Sequence, residues 1–411
     1  MKVRAFRPED AQAALDLRVA AFSTSMHVEF DDTDIYAPDD HRLVAVDGDR
    51  IVGHLAAWPF GQTFGGRVVP MGGVSGVAVA PDQRGRGVGS ALLAAGLDLM
   101  ADRGLVVSTL YPSTPAPYRA WGWEVAGEHV RRTLATRELL ELPPPADDVS
   151  TRPFELDDLD TVLALHNSIT STEAGGLEAS RRWVRRLLTP DAEEPELTFV
   201  AIRDEQVVGL LLATKVDGTA ATDGFGLRVL HLYGADRDAE LALWSIVAAN
   251  HSVASMTTFN SQPADPLLLA LPRTLAEHSP SSHAWMNRLV DAPAAIAARG
   301  WPDLTATVDL DIVDPRRPSN DGAWVLEVDA GTGQLTRPAE HTTAPGSDAG
   351  RGQAAVGAAR LDMGALSSMY TGFAAPRMLA RAGRLTGCDD ETLDDLTAVF
   401  SGPAPFMRDY F

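Results

Sequence analysis

The sequence predicts a mixed α/β (α+β) chain in three parts: two consecutive copies of one helix-and-sheet fold, then a different α+β layer. Three observations carry this. The hairpin pattern from Leu43 to Ala57 has a counterpart from Leu197 to Ala213. Each pattern precedes another apolar strand and a helix, so the order of elements repeats. After residue 290 the pattern changes: Leu304, Ala306, Val308, Leu310 and Ile312 alternate strictly, as do Trp324, Leu326 and Val328. A chain of 411 residues also exceeds what one core usually supports. The proline-rich acidic stretch Leu142-Pro143-Pro144-Pro145-Ala146-Asp147-Asp148 reads as a linker. The parts expected are therefore residues 1–145, 146–290 and 291–411.

In the first part, Ala14, Leu15, Leu17 and Ala20 give an apolar stripe on a helix that Asp10 is placed to cap. Leu43 to Val46, the turn Asp47-Gly48 and Ile51 to Ala57 form a hairpin. A strand from Val74 to Ala80 stops at Pro81, which has no N–H for a ladder. A glycine-rich turn, a helix from Ser90 to Arg103 and a strand from Leu105 to Leu110 follow. In the second part, helices are expected from Asp157 and over Ala179 to Leu188. The hairpin of Leu197 to Ala213 turns at Arg203 to Gln206. A strand from Leu227 to Tyr233 and a helix from Ala239 to Ala249 complete the copy. In the last part, Ala330-Gly331-Thr332-Gly333 turns the second alternating strand into a return strand at Leu335. A long polar loop spans Thr336 to Gln353, and helices are expected at Gly364–Met369, Ala375–Ala382 and Glu391–Phe400.

Composition limits the partners. Lys plus Arg number 35 against 56 acids, a formal charge of −21. Such a surface repels nucleic acid and anionic membranes, and attracts polycations. The one cysteine, Cys388, excludes an intrachain disulfide, suits a reducing compartment and reads as a small packing residue. The N-terminus has no apolar signal core and no apolar run reaches membrane-spanning length, so the expectation is a cytoplasmic protein. His41, His54 and His129 have no metal-ligand spacing, so no metal is expected.

The sharpest chemical signal is Val77-Ala78-Val79-Ala80-Pro81-Asp82-Gln83-Arg84-Gly85-Arg86-Gly87-Val88-Gly89-Ser90. A strand enters a turn with glycines at 85, 87 and 89, and a helix opens directly after it. Missing Cβ atoms let backbone N–H groups converge on an anion. The helix dipole adds positive potential, and Arg84 and Arg86 add charge suited to phosphate. There is no Gly-x-x-x-x-Gly-Lys-Ser/Thr, and Gly85-x-Gly87-x-Gly89 has the wrong spacing for a dinucleotide fingerprint.

Arg84-x-x-Gly87-x-Gly89, after the strand Val77 to Ala80, resembles the coenzyme A signature of the GCN5-related N-acetyltransferases (GNAT). The whole chain resembles the enhanced intracellular survival (Eis-like) members of that superfamily. The resemblance implies two tandem GNAT-like mixed-sheet domains followed by a sterol-carrier-protein-like α+β domain, assembled as a homo-oligomer, a hexamer. It implies acetyl-CoA as cosubstrate, bound by Val77, Ala78 and Val79, by Arg84, Gly85, Arg86, Gly87, Val88, Gly89 and Ser90, and by Ser113 and Thr114. Gly85 stands where relatives carry a basic residue, so one phosphate contact is expected to be lost. The second copy has Tyr233-Gly234-Ala235-Asp236-Arg237 at this point, one glycine in place of three, in keeping with a family whose second copy lost its cofactor loop.

Past Leu110, Tyr118 precedes Gly122 by four, the superfamily's Tyr-x-x-x-Gly-aromatic pattern. A tyrosine donates a proton at neutral pH. By resemblance Tyr118 is the general acid toward the departing thiolate; Tyr111, at the strand's end, is the competitor. The family's general base is the chain's own terminal carboxylate, here that of Phe411. Direct transfer is expected, because no paired nucleophile and base is visible. The family acetylates primary amines of polycationic small molecules such as aminoglycosides. The acidic run Glu29, Asp31, Asp32, Asp34, Asp39 and Asp40 either lines an amine pocket or solvates a loop. Two alternatives are carried: a lipid or sterol carrier using the copies as scaffold, and a protein lysine acetyltransferase.

Overall fold

The computed structural model describes residues 1–22, 41–181, 183–184, 197–217, 225–272, 281–338 and 357–411. The acidic run 29–40, half of the expected helix Ala179–Leu188 and most of the loop 336–353 lie outside the described residues.

The first copy supplies strands β1 (Lys2–Ala5), β2 (Arg42–Asp47), β3 (Arg50–Phe64), β4 (Arg67–Val79), β5 (Val107–Leu110) and β6 (Glu124–Ala135). Helices α1 (Ala11–Phe22), α2 (Val88–Asp102) and α3 (Pro115–Arg119) connect them. The second copy supplies β7 (Ser150–Pro153), the short β8 (Leu177–Glu178), β9 (Leu197–Arg203), β10 (Gln206–Asp217), β11 (Phe225–Gly234), β12 (Ala254–Ser261) and β13 (Ser281–Leu289). Its helices are α4 (Leu159–Thr170) and a helix at Arg237–Ala248, with a short turn of helix at Pro266–Ala270. Both hairpins and the helix after each third long strand agree with the periodicity. Strands β3 and β4 run much longer than read, because they pair with each other from Gly53↔Val79 to Phe64↔Arg67.

The copies are interleaved. Their strands form one sheet in the order β1-β2-β3-β4-β5-β13-β6-β12-β11-β10-β9-β7, with β8 beside β3. The last strand of the second copy, β13, sits antiparallel between β5 and β6 (Met286↔Leu110, Ser282↔Val130). The last strand of the first copy, β6, pairs with β12 (Phe259↔Arg132). Each half of the sheet is thus completed by the other copy's final strand. The cores follow: Met286 and Val290 pack with Leu55, Leu92 and Trp123, while Leu134 and Leu139 pack with Val229, Trp244 and Phe259. Local contacts repeat too. Arg4 pairs with Asp10, whose carboxylate also accepts the Arg7 N–H at 2.8 Å; Arg152 pairs with Asp158, which accepts the Glu155 N–H at 2.9 Å. Asp10 therefore does not cap α1 as read. It lies in a 3-10 turn before the helix and is committed to residues upstream.

The C-terminal layer is a five-stranded sheet: β14 (Ala306–Val313), β15 (Gly322–Asp329), β16 (Thr332–Thr336), β17 (Ala359–Asp362) and β18 (Leu385–Thr386), in the order β16-β15-β14-β17-β18. Its helix Met363–Tyr370 is buried along its whole length, and the hydroxyls of Ser367 and Ser368 are satisfied by backbone carbonyls. It is tied to the main sheet through Ser368 Oγ to the Val125 carbonyl (2.6 Å) and Thr371 Oγ1 to the Ala126 carbonyl (2.7 Å). Arg288 on β13 reaches Asp314 at 2.8 Å, a pair sealed from solvent where removal of one partner would leave a buried charge. Cys388 packs at the edge of this core, and burial raises its thiol pKa. Among the described residues no helix is long and apolar enough to cross a membrane, and no three metal-ligating side chains cluster.

Candidate active site

Strand β4 meets β5 in parallel only over Met71–Gly73 against Val107–Thr109. Beyond Gly73 the partner edge is gone, and Val74 to Val79 keep pairing with β3 alone. A bulge between His54 and Ala56 lets Gly76 take φ +57° and directs its carbonyl to His54 Nδ1 at 2.9 Å. Val77, Ala78 and Val79 therefore border a cleft whose other wall begins at β5.

The cleft leads to the glycine turn. A 3-10 turn at Pro81–Gln83 precedes Arg84, and α2 opens at Val88 with Gly87 as its cap at φ +83°. No side chain caps it, and the first helical bond is Ala91 N–H to the Gly87 carbonyl, 2.9 Å. The N–H groups of Val88, Gly89 and Ser90 are those such a helix start leaves without a partner. Gly85 and Gly87 have left-handed φ, and a Cβ at either would meet nothing within 4 Å. Gly89 has ordinary helical φ, and its Cβ would only touch Val79 at 3.9 Å. Neither backbone conformation nor space inside the protein therefore requires glycine at 89. Arg84, Gly85, Arg86 and Gly87 are exposed. This is a cradle that fits a diphosphate: free amides, dipole and arginines on one small surface.

The second copy has the same helix start, and there the protein occupies it. The Asp236 carboxylate caps Arg237–Ala248, accepting from Ala239 N–H at 3.0 Å, and pairs with Arg203. A carboxylate already satisfies the donors that would hold an external phosphate.

The two tyrosines differ in environment. Tyr118 lies on α3, half-buried, with its ring against Trp123. Burial raises its pKa. Among the described residues no hydrogen bond engages its hydroxyl. Tyr111 donates its hydroxyl proton to the Asp409 carbonyl at 2.8 Å, and burial, with Asp409 and Tyr410 nearby, raises its pKa well above the usual value. Its proton is committed to a structural bond. Ser113 and Thr114 are exposed just before α3.

The C-terminal residues are held rather than frayed. Fixing each residue costs about 1–2 kcal/mol of backbone entropy, so an ordered end needs partners. Phe406 N–H donates to the Ala174 carbonyl (3.0 Å), Met407 N–H to the Glu128 carbonyl (3.1 Å), and His129 Nδ1 contacts the Met407 carbonyl (2.9 Å). Arg408 binds Glu173 through Nε and Nη2 at 2.9 and 2.7 Å. Asp409 is buried, accepts from Trp183 Nε1 at 3.3 Å and lies 4.0 Å from His231 Nε2. Tyr410 stacks on Tyr111 with centroids 4.4 Å apart. The Phe411 ring then packs against Phe60 and Tyr111, over Gly73, where β4 and β5 part. Tyr111 is thus the tyrosine that meets the C-terminal residues, whereas Tyr118 faces Trp123. Gly73, Glu173, Arg408 and Asp409 escaped the sequence reading. Their only signal was the aromatic density of the last six residues.

Comparison with known proteins identifies the architecture. Residues 2–126 match the acetyltransferase (GNAT) domain family, and residues 292–408 the sterol carrier protein domain family. An uncharacterized N-acetyltransferase of Streptomyces coelicolor is 30% identical over 350 residues, covering 82% of this chain and 82% of that protein. The N-acetyltransferase Eis of Mycobacterium tuberculosis is 26% identical over 394 residues, covering 90% of this chain and 88% of Eis. The crystal structure of a GCN5-related N-acetyltransferase from Kribbella flavida matches with a TM-score of 0.83 at 30% identity, over 100% of this chain and 98% of that one. GNAT acetyltransferases use acetyl-CoA, in keeping with the cradle between β4 and α2. With two interleaved copies of the acetyltransferase fold, one of them keeping the open glycine turn, and a sterol-carrier-like layer behind them, the chain belongs to the GCN5-related N-acetyltransferases and is an Eis-like member of that superfamily.

Proposed function

We propose that this acetyltransferase moves acetyl directly from acetyl-CoA to a primary amine of a polycationic small molecule of the aminoglycoside class, with Tyr118 as general acid and the Phe411 carboxylate as general base. The observation that carries the reading is the seat of the last residue: the Phe411 ring rests on Gly73, at the inner end of the β4–β5 cleft. When bound, acetyl-CoA supplies the thioester and a thiol leaving group. Arg84 and Arg86 neutralise phosphate charge, and the amides of Val88, Gly89 and Ser90 orient it. The edge of Val77 to Val79 aligns the arm, and Ser113 and Thr114 close the far side. Tyr118, its proton retained by burial, has a hydroxyl free to donate. A terminal carboxylate, with a reference pKa of about 3.5, is ionised at neutral pH and accepts a proton from an ammonium directly or through water.

The charge of −21 draws in polycations. By family resemblance the protein works in the cytoplasm as a hexamer, its three parts being 1–145, 146–290 and 291–411. Deleting Phe411 alone tests the reading, with thiol release followed over neomycin, spermine and a lysine peptide. Turnover is expected to fall roughly 100-fold. Unchanged turnover rejects the terminal base, and exclusive use of the peptide rejects the small-molecule acceptor.

A further inference from the structure

The interleaved sheet makes its halves equivalent strand by strand. Strand β11 pairs in parallel with β12 only as far as Val229↔Phe259 and then parts from it, as β4 parts from β5 after Gly73↔Thr109. The second copy therefore has its own splay, the counterpart of the coenzyme cleft. It is not open. Arg408 lies in it beside Leu232, Glu240 and Phe259, leaving a cavity of about 40 Å³, room for water and not for a pantetheine arm. Asn260, the residue after the last paired position, donates through Nδ2 to the Leu230 carbonyl at 3.0 Å and to the Arg408 carbonyl at 3.4 Å. Three residues later the Phe411 ring stands at Gly73, the last paired position of the first copy. The tail from Arg408 to Phe411 thus connects the two splay points. Three residues reach about 10 Å at most, so the seat of Arg408 bounds where Phe411 can end, while Tyr111 and Trp183 hold the two residues between them.

We propose that the second copy's vestigial cleft serves as a socket for Arg408, which with Glu173 and Asn260 positions the Phe411 carboxylate in the first copy's cleft. This rests on the general-base role assigned above to that carboxylate. Arg408 is a positioning residue; it acts only through Phe411. Its fork of donors suits the task, because two nitrogens on one Glu173 oxygen, with the carbonyl held by Asn260, restrict both side chain and backbone.

The test uses the full chain, as Arg408→Met, Arg408→Lys, a deletion of Phe411, and the deletion combined with Arg408→Met. Turnover is measured at saturating acetyl-CoA with the best acceptor of the panel above, and coenzyme A affinity by calorimetry. Release of the terminal phenylalanine by carboxypeptidase A reports whether the tail is anchored, independently of catalysis. Arg408→Met is expected to lower kcat roughly 100-fold, as displaced catalytic groups do. It should hasten phenylalanine release by roughly tenfold or more, through local opening, and leave coenzyme A affinity within about twofold. Combined with the deletion it should cost nothing further, because both changes remove one interaction. Arg408→Lys should fall between. Wild-type turnover in Arg408→Met, a tail that stays protected, or additive losses in the double variant would overturn the socket. If deleting Phe411 leaves kcat unchanged, the general-base reading fails and the socket loses its catalytic purpose. If it lowers kcat while Arg408→Met does not, only the socket fails. Should Arg408→Met not bind coenzyme A, Asn260→Ala must show the same pattern at smaller amplitude, and its indifference in both readouts overturns the proposal.

Discussion

A Cβ on Gly73 would fall 2.8 Å from the ring of Phe411, closer than side chains tolerate. Gly73 lies in β4 without a left-handed φ, so alanine there keeps the backbone and must instead push Phe411 or Phe60 aside. Gly73→Ala should destabilise the fold by about 1–3 kcal/mol, the usual cost of overpacking. It should also lower kcat by at least about tenfold by moving the terminus. A melting curve with steady-state kinetics checks both; full activity with lowered stability would mean that Phe60, not Phe411, gives way.

The turn glycines should separate fold from binding. Gly89 has space and helical φ, so Gly89→Ala should leave stability unchanged or raise it by up to about 1 kcal/mol. It should raise the KM for acetyl-CoA several-fold. Gly87→Ala, at φ +83°, should lose stability as well as affinity. Arg84→Glu with Arg86→Glu should weaken coenzyme A binding with little change in melting temperature, since both side chains are exposed.

Asp236 fills the helix start of the second copy, so calorimetry should find one coenzyme A per chain. Asp236→Ala should cost about 1 kcal/mol for the lost cap, with unchanged kcat. Two equivalent sites in the unaltered chain would contradict this account of the second copy.

Tyr118 carries a pKa raised by burial, so as a general acid it stays protonated past its ordinary value of about 10. The rate should rise with pH as the amine deprotonates, without an alkaline fall below about pH 10. Tyr118→Phe should lower kcat roughly 100-fold. Tyr111→Phe should keep the same pH profile, because its hydroxyl holds the Asp409 carbonyl.

Burial holds His54 neutral, with its pKa depressed from 6.5 to about 3, and His231 similarly at about 4. The unfolded chain binds these protons first. The contribution is full above pH 6.5 and is lost as pH falls toward the folded values. The melting temperature should therefore drop between about pH 7.5 and pH 5. His54→Asn keeps a donor for the Gly76 carbonyl without titrating, and should shrink that drop. An unchanged difference would place the acid sensitivity elsewhere.

Features that rest on short-range rules are legible in the residues alone. Alternation set the strands of the last part, and Asp47-Gly48 set the first hairpin. The spacing from Arg84 to Gly89 set the glycine turn and the uncapped start of α2, because left-handed φ and a bare helix start need only neighbouring residues. Long-range packing set everything else. No local pattern says that β13 will cross to the first half of the sheet and β6 to the second; their hydrogen bonds join residues far apart in sequence, such as Met286 and Leu110. Nor does any local pattern say that Arg408 will enter a disused cleft and bring Phe411 to Gly73. Glu173, Asn260 and Trp183 become partners of the tail only when the halves interleave, since each contact depends on burial and charge compensation among segments that no spacing rule connects.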